Sequence, residues 1–155
     1  MGKESRKMVD RFSDDPPNPN FNNDISFVDI NFDSYTDLKI KSFVTMKGTS
    51  EFNYYLYNPD SNKFIYNKDF SNLDGNLSLD AKLKEITSTI YDWQEETNYT
   101  DLYKIIDNKP VLVMSKIKGV LLEDRSKGKN QRYYIHIEKL IDGEMKTVID
   151  TVVIK

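Results

Sequence analysis

The string Asp29-Ile30-Asn31-Phe32-Asp33-Ser34-Tyr35-Thr36-Asp37 carries oxygen-bearing side chains at every second position and again at its end. Donors at that spacing can wrap one hard cation, with Asp29, Asn31, Asp33 and Asp37 acting through side chains and Tyr35 through its backbone carbonyl. Ca2+ fits better than Mg2+, because a flexible loop of many oxygens satisfies a high coordination number at long metal–oxygen distances. Zinc and copper want histidine or cysteine, and neither is near. The loop is not an EF-hand. Ser34 stands where the sharp turn usually has glycine, and Ile40 stands where the bidentate glutamate would be. A competing reading keeps the same residues as an acidic turn whose carboxylates bond their own backbone amides, a habit of Asp and Asn.

A second group lies in Tyr91-Asp92-Trp93-Gln94-Glu95-Glu96-Thr97-Asn98-Tyr99, which holds the sole tryptophan, two tyrosines and three acids. Aromatic anchors inside a polar rim are the composition of a protein- or sugar-binding loop, so Tyr91, Asp92, Trp93, Glu95, Glu96 and Tyr99 are candidate partner-binding residues. The alternative is that Trp93 plugs the end of the fold.

No catalytic residue is assigned. His136 is the lone histidine, set between Ile135 and Ile137, and the chain has no cysteine, so a triad or a zinc site cannot be assembled in the usual way. Glu95 and Glu96 are neighbours that an extended segment turns to opposite sides, which does not suit a glycosidase carboxylate pair. The six glycines are scattered and form no phosphate loop. A binding protein is expected rather than an enzyme.

Short apolar runs separated by turn residues must position these groups, which predicts an all-β fold. The expected form is antiparallel strands and hairpins in a sandwich or propeller-like arrangement, with little helix. Ile25–Val28 precedes the aspartate loop and Leu38–Met46 follows it. Phe52–Tyr57 and Lys63–Asn67 flank Asn58-Pro59-Asp60-Ser61-Asn62, a hairpin turn. Asp74-Gly75 breaks the chain before Leu77–Leu79 and Leu83–Tyr91, with a helical turn allowed over Asp80–Ile86. Tyr99–Ile106 and Pro110–Lys118 flank Asp107-Asn108-Lys109. Arg132–Ile141 and Met145–Ile154 flank Asp142-Gly143, whose residues suit a type I′ turn. Residues 1–23, with Pro16, Pro17 and Pro19, read as a flexible N-terminal tail, and 24–155 as a single β domain. Lys47–Glu51 and Ser126–Asn130 read as exposed connections.

The chain has 155 residues and a net charge of −3, unevenly spread. Residues 14–101 carry 16 acids and 7 bases, while 102–155 carry 7 acids and 11 bases. Such asymmetry can steer a charged partner, but the basic part lacks the Arg/Lys-plus-aromatic clustering of a nucleic-acid surface, so no nucleic-acid partner is expected. No apolar run is long enough to span a bilayer as a helix. The opening residues lack the apolar stretch of a signal peptide.

The run DINFDSYTDLKI, then YYLYNPDSNKFIYNKDFSNL, then LSLDAKLKEITS resembles a family of bacterial periplasmic proteins similar to lysozyme inhibitors. Some members act as immunity proteins against peptidoglycan-hydrolase toxins. The family carries a DxNFDGxxDL loop followed by a YLYNP hairpin, and the strand–loop–strand setting of the aspartates also resembles the calcium loops of FG-GAP repeats. The resemblance covers residues 27–90 and fades beyond Tyr91. It implies an all-β fold with bound Ca2+, a periplasmic or cell-envelope location with a leader removed, and a partner protein that is a lysozyme or other peptidoglycan hydrolase. Inhibitors of this kind place a Ser-Gly-x-Tyr-like loop where this chain has Tyr91-Asp92-Trp93-Gln94, so the fold carries over better than the target. A calcium-stabilised carbohydrate-binding or adhesion module is the alternative.

Overall fold

The computed structural model describes residues 25–44, 50–121, 124 and 131–154. The tail expected over residues 1–23, and most of the connections at 47–51 and 126–130, lie outside these described residues. Ten strands form two antiparallel sheets. β1 (Ile25–Val28), β2 (Asp37–Val44), β3 (Ser50–Asn58) and β4 (Lys63–Asn67) make the smaller sheet, in that order. β5 (Asn76–Asp80), β6 (Glu85–Asp92), β7 (Thr97–Ile106), β8 (Lys109–Val120), β9 (Arg132–Ile141) and β10 (Glu144–Ile154) make the larger one, again in chain order. The antiparallel all-β fold expected from the sequence is what the molecule adopts, as two separate sheets of four and six strands.

The turn chemistry explains the hairpins. Asp107 and Asn108 have φ of 50° and 58°, and Asp142 and Gly143 have 54° and 82°, the paired positive values that a two-residue I′ turn requires. Pro110 is tolerated in β8 because β9 begins pairing only at Met114, so its missing N–H leaves no ladder bond unmade. The helical turn allowed over Asp80–Ile86 is instead a tight hairpin turn, Ala81–Lys84. Asp80 Oδ1 accepts from the Lys82 and Leu83 amides, and Lys84 takes a φ of 53°. Those side-chain bonds, with Glu85 pairing back to Asp80, outweigh the helix propensity of Ala81 and Lys82.

The one α-helix among the described residues is a single turn, α1 (Lys68–Ser71), at the end of β4. Asn67 caps it by accepting from Phe70 N at 3.1 Å, and the Ser71 hydroxyl donates to Asn67 O and accepts from Tyr54 N. This turn drives Phe70, fully buried, between the sheets. There it meets Ile30, Phe32, Tyr54 and Ile86, with Phe52, Leu56, Leu77, Leu79 and Tyr103 packed around them. The core therefore joins β3, β5, β6 and the aspartate loop. Among the residues whose burial is described, β9 and β10 contribute no fully buried one, and Val148, Ile149, Val152 and Val153 of the edge strand β10 are exposed.

Candidate functional site

The aspartate loop closes over β1 and β2, where Val28 pairs with Asp37. Its apolar members face inward: Ile30 is 1% and Phe32 7% exposed. That anchoring fixes the polar alternates. Phe32 and Ser34 adopt φ of 57° and 74°, so the chain makes its sharp turns without glycine. Asp29 accepts from Asp33 N at 3.1 Å and Ser34 N at 3.0 Å. Asp33 accepts from Asn31 Nδ2 at 2.7 Å and Tyr35 N at 2.8 Å. Asp37 has no exposed surface and bridges two elements, accepting from Ile30 N at 3.0 Å and from Tyr57 N of β3 at 2.9 Å.

Burial pushes the Asp37 carboxyl above its ordinary range; the Tyr57 and Ile30 amides oppose this, and the charges of Asp33 and Asp29 add to it. Three like charges thus converge on one loop. The Asn31 carbonyl oxygen is buried and accepts no hydrogen bond. An orphaned amide oxygen among carboxylates that retain open lone pairs is the donor set a hard divalent cation satisfies, so the residues fit Ca2+ in kind. Among the described residues, however, no three acidic or imidazole side chains are gathered closely enough to chelate an ion, and the carboxylates bond loop amides as an acidic turn does.

The segment 91–99 is not one loop. Tyr91 and Asp92 end β6, Thr97 to Tyr99 begin β7, and a four-residue turn, Trp93–Glu96, joins them. Asp92 accepts from the Gln94 and Glu95 amides and Thr97 bonds the Glu95 carbonyl, so these two set the turn. Tyr91 pairs with Asn98 and Tyr99 with Ile90, which sends the two tyrosines to opposite faces of the sheet. Trp93 is 62% and Tyr91 56% exposed, so Trp93 is not a plug. Glu95 accepts from the Tyr99 hydroxyl at 3.3 Å, and Glu96 accepts from Gln131 Nε2 at 3.3 Å. On the Tyr91 face, Tyr91, Glu96, Asn98, Lys118, Val120 and Tyr133 line a shallow pocket of about 230 Å³. Apart from Glu96 in the turn, these residues come from four strands, β6 to β9, which only the sheet register brings together.

His136 sits half-exposed in β9, 3.6 Å from Glu138 and 3.7 Å from Asp150. The buried Asp124 is held by Arg132, with Arg132 Nε at 2.7 Å and its backbone N at 2.9 Å. Lys39, which sequence reasoning did not single out, lies in a crevice between the sheets with Phe52 and Tyr54.

No protein-family model matches the chain, and no curated protein matches it. Among solved structures, it is similar to a Xanthomonas type IV secretion system related protein, with a TM-score of 0.66 and 23% identity. The match covers 90% of this chain but 62% of that one, so the chain spans less than two thirds of that protein's length. At this identity what the two chains share is the two-sheet fold.

Proposed function

We propose that this chain is a calcium-binding cell-envelope protein that binds and inhibits a peptidoglycan-cleaving glycosidase, occluding its cleft with the β6–β7 turn. The observation that carries the reading is the exposure of Trp93 and Tyr91 at the end of a hairpin whose turn is fixed by Asp92 and Thr97. A rigid mount lowers the ordering cost of inserting an aromatic into a partner's groove. Glu95 and Asp92 make the turn acidic, which complements a basic hydrolase and favours rapid encounter. The shared fold with a secretion-system related protein of Xanthomonas is in keeping with a bacterial envelope setting, periplasmic in this reading. The aspartate loop, with Ca2+ across Asp29, Asn31, Asp33, Asp37 and the Tyr35 carbonyl, would lock β1 and β2 to β3. The protein itself is read as a ligand for an enzyme, not an enzyme.

One observation favours the carbohydrate-binding alternative. Phe27, Leu38, Tyr55 and Tyr66 stand opposite one another across all four strands of the smaller sheet, and Phe27 and Tyr66 are 65% and 49% exposed. Lysis of cell walls by a panel of animal, phage and toxin-type lysozymes, with and without the protein, separates the two. Inhibition lost on Trp93→Ala supports the inhibitor reading. No inhibition across the panel, with glycan binding lost on Tyr66→Ala, supports the other.

A further inference from the structure

The inner face of β2 and β3 presents Lys39 beside Phe52 and Tyr54, at the mouth of a crevice of about 270 Å³ that also takes in Ser50, Gly75, Asn76 and Leu77. Its walls come from both sheets. The Lys39 ammonium lies 3.8 Å from the centre of the Phe52 ring and 5.9 Å from that of Tyr54. Ring faces stabilise one side of a cation but accept none of its N–H bonds in the ordinary sense, and an ammonium has three donors to place. Among the described residues, Lys39 forms no ion pair with a carboxylate.

We propose that this intersheet crevice is a carboxylate-binding site, with Lys39 as its cation, Tyr54 as a hydroxyl donor and Phe52 and Leu77 as apolar walls. A carboxylate matches a site with one positive charge and neutral donors, whereas phosphate recruits several cations or a fork of donors. Burial pushes the Tyr54 hydroxyl up to about 12, so it meets the ligand as a neutral O–H. The apolar walls suit the carbon skeleton that a carboxylate carries and an inorganic anion lacks. The volume admits a small free acid or the last residue of a peptide. No residue of the β6–β7 turn lines the site, so it stands or falls independently of the hydrolase reading.

The test is an NMR titration of the full chain, following the Phe52 and Tyr54 ring signals and the Leu77 methyls. The probes are acetate, N-acetylglycine, inorganic phosphate, and one peptide prepared with a free and with an amidated C-terminus. Saturable shifts with the carboxylates at millimolar concentration are expected, at least tenfold weaker in Lys39→Met and regained in Lys39→Arg. Tighter binding of the free-terminus peptide than of acetate identifies a chain end as the ligand; equal binding identifies a small acid. Shifts that are absent, that persist undiminished in Lys39→Met, or that phosphate produces as well as the carboxylates do, overturn the proposal. Unchanged melting of the two variants guards against reading a folding defect as lost binding.

Discussion

Chelation should lower the melting temperature of this protein, and the size of the drop can be worked from the loop. If Ca2+ binds the folded aspartate loop alone, mass action stabilises the fold by about 2.7 kcal/mol when free calcium is about 100-fold above Kd. For a chain of this length, about 2–4 °C accompany each kcal/mol, which gives a drop of roughly 5–11 °C on adding chelator. Asp33→Ala is the informative variant. It removes the acceptor of the Asn31 Nδ2 and Tyr35 N bonds, at about 1 kcal/mol each, so its absolute stability falls whether or not a metal is involved. The calcium-dependent part is what discriminates: it should shrink to a small fraction of the wild-type shift. The assay is a melt by circular dichroism with added calcium and with chelator. Identical wild-type melts in the two conditions would refute the metal reading and leave the acidic turn, and so would an undiminished calcium shift in Asp33→Ala.

Trp93→Ala should leave the melting temperature within a degree or so, since the ring is mostly solvated, while weakening inhibition about thirtyfold, as loss of an aromatic anchor worth about 2 kcal/mol implies. Phe70→Ala empties a fully buried site and should cost about 3–5 kcal/mol in urea unfolding; a loss below 1 kcal/mol would mean that the α1 turn collapses onto the core. Gly119→Ala should destabilise by about 1–3 kcal/mol, because an added Cβ would press on Thr97 Oγ1 and come within 2.7 Å of the Tyr134 hydroxyl; equilibrium unfolding measures it. Tyr54 holds its proton to about 12 in the folded protein, while unfolded tyrosine releases it near 10. The folded state therefore binds more protons in that window, and stability should fall as pH rises through it, by up to about 1.4 kcal/mol per pH unit from this residue. Unfolding curves from pH 9 to 12, compared with Tyr54→Phe, check the sign.

The hairpins were legible because their turns carry residues that tolerate positive φ: Asp107-Asn108 and Asp142-Gly143 mark β7–β8 and β9–β10 directly in the sequence. The aspartate loop was legible for a related reason, its spacing being a local property of nine consecutive residues. The turn over Ala81–Lys84 was harder, because Ala81 and Lys82 favour helix and only the Asp80 side chain bonding forward tips the balance. The α1 turn was missed, although Asn67 three residues before Phe70 is a capping signal. Residues 91–99 looked like one site because they are contiguous; strand register then divides Tyr91 from Tyr99 across the sheet. Lys39 was beyond reach, since nothing local distinguishes a lysine whose neighbours are aromatic rings from one in water. That difference exists only once β2 has found β3 and β5 has covered them.

Both sheets are simple meanders, with every pairing made between strands that follow one another along the chain. The entropic cost of closing each hairpin is set by its short connection rather than by the length of the whole domain. An all-β chain with such local pairing should fold faster than a sandwich of crossed connections, in which distant segments must meet before any ladder is rewarded. The smaller sheet, complete by Asn67, can also form while the larger one is still being synthesised. The core would then be sealed late, when β5 and β6 close over Tyr54 and Phe70. Mutations in the β1–β4 meander should therefore slow folding, and those in β9 and β10, outside the core, should chiefly quicken unfolding.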